Sequence, residues 1–360
     1  MEKFDKTTRK QYRTKVEEGF PETFRWGGLE FKKHLAMRYG ENPGYPAAFY
    51  TEPGVSGPNM GSLEVIQEGS KGLSYINIGD MDLGLRLVRK LTGIYTGRRI
   101  CVLVKHEMPS GVAMGEESPA EVFQKAWGCD PLSNFGSVDV INHLIDKPLA
   151  EIIIEKGRNV EVVFAPDFSP EGLEVLAERK TLRVVKLKAG IGEPAIDNGL
   201  EFKRVEGGLL VQKRFDSKIV SPDSVEVVSR RIPTKAEIEA AIFCWTVACF
   251  TRSNAIVIGT GDRIHGIGSG QRSRIDAAED AIKFSKRGYG SQGCVMASDA
   301  FMPFTDVVEL AAKSGITAII YPLGSIRDQE VLQAADDLGL AMIITKRPGE
   351  TDSERCFLHR

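Results

Sequence analysis

ITAIIYPLGSIRDQEVLQAADDLGLAMIIT, residues 316–345, determines the predicted fold class of this chain. It has an apolar run at each end, at 316–321 and 341–345. The stretch between them has a serine suited to a helix N-cap and a glycine suited to a helix stop, so we predict a helix over 326–338. A capped helix between two apolar strands is a βαβ unit, and its two strands run parallel.

The same alternation of apolar runs and capped stretches continues towards the N-terminus. Ser118-Pro119 and Ser169-Pro170 each combine an N-cap residue with a proline at the first helical position, and Thr234 begins a capping-box pattern. Further strands are predicted at 100–104, 160–164, 182–187 and 255–258, and further helices at 82–91, 119–127, 170–176, 276–285 and 306–314. Strands that lead through loops into helices are typical of an α/β protein.

The length of 360 residues predicts more than one domain. Residues 1–25 are polar and charged and are predicted to be an N-terminal arm. The α/β pattern then divides into a first domain, 26–190, and a second domain, 234–360. Residues 191–233, rich in glycine and β-prone pieces, are the predicted connector.

Composition excludes several function classes. The chain is 42% hydrophobic and 27% charged, with a net charge of −2 that gives no field for nucleic acid or an anionic membrane. The six cysteines have no disulfide or zinc spacing, and the sequence lacks the zinc-deaminase, P-loop and nucleophile-elbow motifs. No stretch resembles a signal peptide or a membrane span, so we expect a cytoplasmic protein.

The dyad Lys105-His106 is the strongest candidate for chemistry. It follows the apolar run 100–104 and precedes a predicted turn-forming loop, Glu107-Met108-Pro109-Ser110-Gly111. An ammonium and an imidazole at the end of a strand can act as acid and base if their environment tunes them. A surface lysine beside a half-buried histidine is the alternative reading of the dipeptide alone.

Four other loops could bind a ligand. They are 37–43, the glycine-rich 266–274, 294–306 and 322–325. Arg38 and Arg274 offer guanidinium groups suited to phosphate or carboxylate, and Tyr39 offers a phenolic hydroxyl. The start of a helix after 322–325 could hold an anion on its backbone N–H groups. Singly, each of these patterns also fits a surface turn, a flexible loop or a core aromatic.

Taken together, these segments resemble the AICAR transformylase (phosphoribosylaminoimidazolecarboxamide formyltransferase) part of the bifunctional purine biosynthesis protein. The resemblance extends from about residue 35 to residue 360. It rests on motifs that occur in the family's order: MRYGENP, LSYINIGDMD, VKHEMPSGVA, APDFSPEGLEVL, RSNAIVI, GIGSGQRSRID, VMASDAFMPFTD, LGSIRDQEV and a closing RCFLH. Several long motifs in order are more specific than any one of them.

The resemblance implies a fold of two tandem cytidine-deaminase-like, three-layer α/β/α domains. It also implies a homodimer with active sites at the subunit interface. The family's reaction transfers a formyl group from the co-substrate 10-formyltetrahydrofolate to the 5-amino group of AICAR, which gives FAICAR. No cyclohydrolase domain precedes the transformylase motifs, so we expect a separate IMP cyclohydrolase to close the ring.

The resemblance also assigns roles to residues. His106 corresponds to the general base, and Lys105 to the group that stabilises the transition state and protonates the departing folate nitrogen. The AICAR-binding positions are Arg38, Tyr39, His106, Gly136, Glu161, Asn254, Arg274, Phe301 and Arg355. The folate-binding positions are Ile275, Asp306, Ser325 and Ile326. A structural potassium ion is a further expectation, near Ser253 and Asp299.

Two segments depart from the family's pattern. Met108-Pro109-Ser110 stands where the family has Asn-Pro followed by Cys or Ala, and Gly44-Tyr45 stands where it has His-Gln. These changes affect the expected substrate geometry or formyl donor. Two alternatives follow: a non-catalytic purine-nucleotide sensor on the same fold, and an enzyme of the same class with another formyl donor, such as formate activated elsewhere.

Overall fold

The computed structural model of the protein describes residues 19–70, 72–187, 191 and 199–345. The strands are β1 Thr23–Trp26, β2 Leu29–Ala36, β3 Ala48–Thr51, β4 Leu63–Gln67, β5 Arg99–Lys105, β6 Met108–Gly115, β7 Ser137–Ile141, β8 Val160–Ala165, β9 Arg183–Leu187, β10 Leu200–Val205, β11 Gly208–Lys213, β12 Glu226–Val227, β13 Ile256–Gly259, β14 Ile264–Gly268, β15 Val295–Ser298, β16 Ala318–Tyr321 and β17 Ala341–Ile344. The helices are α1 Tyr75–Ile94, α2 Pro119–Trp127, α3 Lys147–Ile153, α4 Pro170–Ala177, α5 Lys235–Ala248, α6 Arg274–Ser285, α7 Asp306–Lys313 and α8 Asp328–Asp337. The α/β prediction is confirmed.

The chain divides into two compact units, each built from two segments. The first unit contains Met1–Arg89 and Gly136–Arg214, and the second contains Lys90–Phe135 and Phe215–Arg360. The domain boundaries drawn from the sequence stay a prediction.

In the first unit, parallel strands form the core. β7, β8 and β9 pair in parallel, and β4 pairs antiparallel with β9. β7 is buried at every position, which is typical of a strand covered on both faces. A separate antiparallel sheet is formed by β1, β2 and β3, and β10 and β11 form a hairpin.

In the second unit, a six-stranded sheet has the order β12-β17-β16-β15-β13-β14. β15, β16 and β17 are parallel, whereas β12, β13 and β14 pair antiparallel with their neighbours. α5 packs on β13, β15 and β16 and is buried almost throughout. A buried indole N–H needs a hydrogen-bond acceptor, and that of Trp245 donates to Ser217 Oγ at 2.9 Å. The same unit contains the antiparallel hairpin of β5 and β6.

The predicted βαβ unit is present in the second unit, with a later helix start. β16 and β17 are parallel, and α8 lies between them. The helix begins at Asp328 because a separate turn precedes it: Ser325 Oγ accepts from the Arg327 amide at 3.1 Å, and Asp328 accepts from the Gly324 amide at 2.9 Å. The serine therefore caps a turn rather than the helix.

Three of the predicted N-caps are confirmed, whereas the start of α1, like that of α8, is wrong. Ser118, Ser169 and Thr234 are the N-caps of α2, α4 and α5. α1 was predicted to begin at Asp82, but it begins at Tyr75. Its first turns, YINIGDM, include glycine and asparagine, which are weak helix formers. The start is capped by a reciprocal pair of hydrogen bonds, because the Ser74 amide donates to Asn77 Oδ1 at 3.1 Å and the Asn77 amide donates to Ser74 Oγ at 3.3 Å. No helix of the described ranges is long and apolar enough to cross a bilayer.

Candidate active site

Lys105 and His106 lie at a tight hairpin turn. β5 ends at Lys105 and β6 begins at Met108, which is paired with Lys105. His106 and Glu107 form the turn, with φ of 54° and 56°. A two-residue turn with both φ values positive matches the right-handed twist of a hairpin, but it usually contains Asn or Gly. The left-handed region costs a residue with a Cβ about 1–2 kcal/mol, and such strain is common at functional sites.

The hairpin corrects the predicted loop over Glu107–Gly111. β6 continues through this segment, and the pairing register shifts between Leu103 and Val104. Pro109 is buried opposite Val104, and Ser110 Oγ donates to Leu103 O at 3.3 Å. Proline and glycine in sequence predicted a loop, but a bulged strand accommodates both residues.

The Lys105 ammonium is held in place by a backbone carbonyl. Its Nζ donates to Phe135 O at 2.6 Å, and Phe135 directly precedes Gly136 in the chain. The His106 side chain is exposed. The turn therefore presents a tethered cation beside an accessible imidazole.

A cavity of about 500 Å³ lies at this hairpin within the second unit. Its walls come from the hairpin, from β14 and the segment after it, and from α6; the lining residues include Lys105, His106, Met108, His265, Ser269, Gln271 and Asp280. Its volume is typical of a small-molecule site.

The glycine-rich segment 266–274 is only partly a loop. Gly266 and Gly268 lie in β14, and a Cβ on either would overlap a carbonyl oxygen of α6. These glycines therefore allow the strand to pack closely on the helix. The prediction of a continuous glycine-rich turn is wrong over 266–268.

His265, on the same strand, is a second histidine of the cavity. Its Nδ1 lies 2.7 Å from Gly290 O and its Nε2 lies 3.4 Å from Thr260 Oγ1. Burial lowers its pKa, which favours the neutral imidazole. With both ring nitrogens engaged, His265 is a structural histidine.

Asn254 and Arg274 are brought together in the second unit. Arg274 donates to Asn254 Oδ1 at 2.7 Å and to Ser298 Oγ at 3.1 Å, and forms an ion pair with Asp299. Arg274 is buried and Asp299 is fully buried. The ion pair fixes the guanidinium, which in turn orients the Asn254 amide.

Arg38, Tyr39 and Glu161 lie in the first unit. Arg38 Nη2 donates to Tyr39 Oη at 2.8 Å, and its guanidinium lies 4.4 Å from the centre of the Tyr39 ring. Glu161 accepts from Asn77 Nδ2 at 3.3 Å and lies 3.6 Å from Arg183 Nη1. Asn77 and Arg183 were not among the site residues predicted from the sequence. For Arg183, the sequence shows only an arginine at the start of an apolar strand.

Gly136 in the first unit has φ of 88°, and its amide donates to Asn159 O at 2.6 Å. The left-handed conformation explains the glycine at this position. Phe301 is half-buried in the second unit, in the segment between β15 and α7. Arg355 lies outside the described residues.

The predicted folate positions lie at two helix starts and one loop of the second unit. Ile275 is in the first turn of α6, and Asp306 begins α7 and accepts from the Val307 amide at 2.8 Å. Ser325 and the fully exposed Ile326 precede α8. The loops before α7 and α8 meet where the Arg327 guanidinium lies 5.2 Å from the Phe304 ring centre.

A sequence profile described as the AICARFT/IMPCHase bienzyme matches residues 1–284 of this 360-residue chain. The chain belongs to this family. Membership confirms the resemblance to an AICAR transformylase domain and indicates a formyltransferase of purine biosynthesis or a related activity. The matched AICARFT/IMPCHase range includes the dyad and Arg274, whereas Asp306 and Ser325 lie beyond it. Across the described residues, no group of three His, Cys, Asp or Glu side chains could hold a metal ion.

Proposed function

We propose that this AICARFT/IMPCHase family member transfers the formyl group of 10-formyltetrahydrofolate to the 5-amino group of AICAR, producing FAICAR. One observation carries the proposal: His106 lies in a strained two-residue turn directly after Lys105, and both residues line a cavity of about 500 Å³. A strained turn at the edge of a cavity is typical of a functional site.

In the proposed reaction, His106 accepts a proton from the AICAR amine as the amine nitrogen bonds to the formyl carbon. The bond between that carbon and folate N10 then breaks, and Lys105 delivers a proton to N10. The tether from Lys105 to Phe135 O restricts where the ammonium can lie. Positioning both substrates can contribute about 7–11 kcal/mol and acid–base catalysis roughly 10²–10⁴-fold, which suits a poorly nucleophilic amine.

The substrate sites follow the family resemblance. For AICAR we propose Arg38, Tyr39, His106, Gly136, Glu161, Asn254, Arg274, Phe301 and Arg355. For folate we propose Ile275, Asp306, Ser325 and Ile326. The hydrogen bond from Arg274 to Asn254 supports a shared role for that pair. We further propose tandem cytidine-deaminase-like domains, a cytoplasmic homodimer and active sites at its interface.

A potassium ion near Ser253 and Asp299 is also proposed. Asp299 Oδ2 is buried and accepts no hydrogen bond from the part of the chain that the structure describes. A carboxylate oxygen suits a hard cation. Replacing potassium by tetramethylammonium should lower the Tm, and Asp299→Asn should reduce that difference.

The deciding experiment is a spectrophotometric assay with AICAR and 10-formyltetrahydrofolate as sole donor. His106→Ala should lower turnover by about 10²–10⁴-fold while AICAR still binds. His265→Asn, which keeps a donor for Gly290 O, is the matched control and should retain most of the turnover. Undiminished turnover in His106→Ala contradicts the assignment of the base.

The non-catalytic sensor has one supporting observation, the replacement of the family's residues at Met108 and Ser110. Calorimetry separates it from the enzyme. A sensor would bind AICAR, would not bind the folate, and would form no product.

A further inference from the structure

Arg183 is a buried arginine whose hydrogen bonds are incomplete. It begins β9 with its side chain only 3% exposed. Nε donates to Gly72 O at 2.9 Å, and Nη1 donates to Glu161 O at 3.3 Å. Nη2 is buried and has no acceptor among the described residues. A guanidinium has five N–H donors, so part of this donor set is unused.

Arg38 has the same incompleteness in the same unit. It is 6% exposed, and Nη2 donates to Tyr39 Oη. Its Nε and Nη1 are buried and find no acceptor in residues 19–70, 72–187, 191 or 199–345. The two arginines bond adjacent carbonyls, since the Arg38 amide donates to Leu73 O at 3.1 Å and Arg183 Nε donates to Gly72 O. Burial lowers the pKa of Arg183, Glu161 raises it and the Arg38 cation lowers it.

Within the described ranges, the charges around this arginine pair do not balance. Glu161 is the carboxylate near Arg183, and its side chain is 39% exposed. The ring of Tyr39 attracts the Arg38 cation but does not neutralise it. The described residues provide one carboxylate, the partly solvated Glu161, within ion-pair distance of the two guanidiniums. Because a buried charge is costly unless it is paired, this arrangement favours the binding of a further anion.

We propose that Arg183 is a specificity-determining residue of the nucleotide site. It holds the Glu161 carboxylate and supplies a second buried positive charge beside Arg38, so the site selects a phosphate monoester over the neutral nucleoside. The identity of the nucleotide rests on the proposed function, whereas the preference for a dianion follows from the charges. Guanidinium pairs suit phosphate because they donate in a bidentate geometry.

The test is the ratio of the Kd of the AICAR nucleoside to the Kd of AICAR, measured by calorimetry. Arg183→Gln should lower this ratio at least about tenfold, the typical weight of a hydrogen bond to a charged group. Glu161→Gln should raise the ratio, because it removes the compensating negative charge. Both ligands share the ribose, so a change in ribose contacts cancels.

Lys186→Gln is the matched control. It removes a positive charge from the same strand, where Lys186 pairs with Asp167 at 2.5 Å. In Lys186→Gln, the ratio of the nucleoside Kd to the AICAR Kd should equal that of wild type. An unchanged ratio in a folded Arg183→Gln protein overturns the inference, and if that variant does not fold, an unchanged or lower ratio in Glu161→Gln overturns it.

Inorganic phosphate separates this inference from the proposed function. It should raise the Tm of the wild-type protein, with a smaller rise in Arg183→Gln and a larger one in Glu161→Gln. If AICAR does not bind, the proposed function fails and the phosphate series alone decides the inference. The absence of any phosphate-dependent Tm shift in the wild type, together with no binding of AICAR, overturns it.

Discussion

Ser269 donates a hydrogen bond to the thioether of Met108, with 3.1 Å between Oγ and Sδ. The contact joins the segment after β14 to the first residue of β6, beside the dyad. Met108 is also where the sequence departs from the asparagine of the family's pattern. A thioether is a weak acceptor, and Ser269 Oγ lies 3.3 Å from a second acceptor, Arg252 O.

Met108→Leu should therefore be well tolerated. Leucine keeps the volume of methionine, and the Ser269 hydroxyl can turn to Arg252 O. We expect formyl-transfer turnover to stay within about threefold of wild type, because a replaceable neutral hydrogen bond contributes less than about 1 kcal/mol. Ser269→Ala is the matched control. A loss of tenfold or more in Met108→Leu alone would show that the sulfur itself is required.

Glu107→Gly should relieve the strain of the dyad turn. At φ of 56° the Cβ of Glu107 is unfavourable, and glycine has none. Glu107→Ala is the control, since it removes the same carboxylate but keeps a Cβ. We expect the glycine variant to be more stable than the alanine variant by about 1 kcal/mol in urea unfolding. Equal stabilities would mean that the turn carries no such strain.

Periodicity predicted many of the buried elements of the fold, but it missed the fully buried strand β7, the helix α3 and the hairpins. β16, α8 and β17 were recognisable because an apolar run alternates with a capped amphipathic helix. β6 and β14 were missed because their proline and glycines are typical of loops, although here they serve a bulge and close packing on α6. Which backbone approaches a glycine depends on tertiary contacts that no local pattern records.

The candidate residues of the site were predicted from separate loops, but the contacts that hold these residues were not predicted. The sequence identified Lys105 and Arg274 as candidates, but the partners that hold them, Phe135 O and Asp299, became clear only from the structure. Residues far apart in the chain meet through sheet pairing. Arg183 illustrates the limit, since an arginine before VVKL is indistinguishable from a surface residue without its burial.

The Arg274–Asp299 ion pair should be among the most sensitive points of the second unit. Arg274→Ala leaves the fully buried Asp299 carboxylate without its cation, and we expect a loss of about 3–5 kcal/mol in unfolding free energy. Arg25→Ala, which breaks the exposed pair with Glu30, is the control and should cost less than about 1 kcal/mol.

The double variant Arg274→Ala/Asp299→Asn should be less destabilised than the sum of the two single variants, because no buried charge is left alone. Urea unfolding of the four proteins measures the coupling. Strict additivity would mean that Arg274 and Asp299 do not depend on each other for stability.

Because of Asp139, the protein should be more stable in mild acid than at neutral pH. Burial raises its pKa from 3.8 to about 7, opposed by the hydrogen bond from Ser137 at 2.6 Å. Since the folded pKa exceeds the unfolded value, this contribution is complete below about pH 4 and falls by about 1.4 kcal/mol per unit up to pH 7. Asp139→Asn should therefore gain stability over wild type at pH 8 but not at pH 4, as urea unfolding would measure. Ser137→Ala removes the hydrogen bond that opposes the shift, so its stability should keep falling to a higher pH than that of wild type. Parallel stability–pH curves for wild type and Asp139→Asn would mean that the Asp139 carboxyl titrates normally in the folded protein.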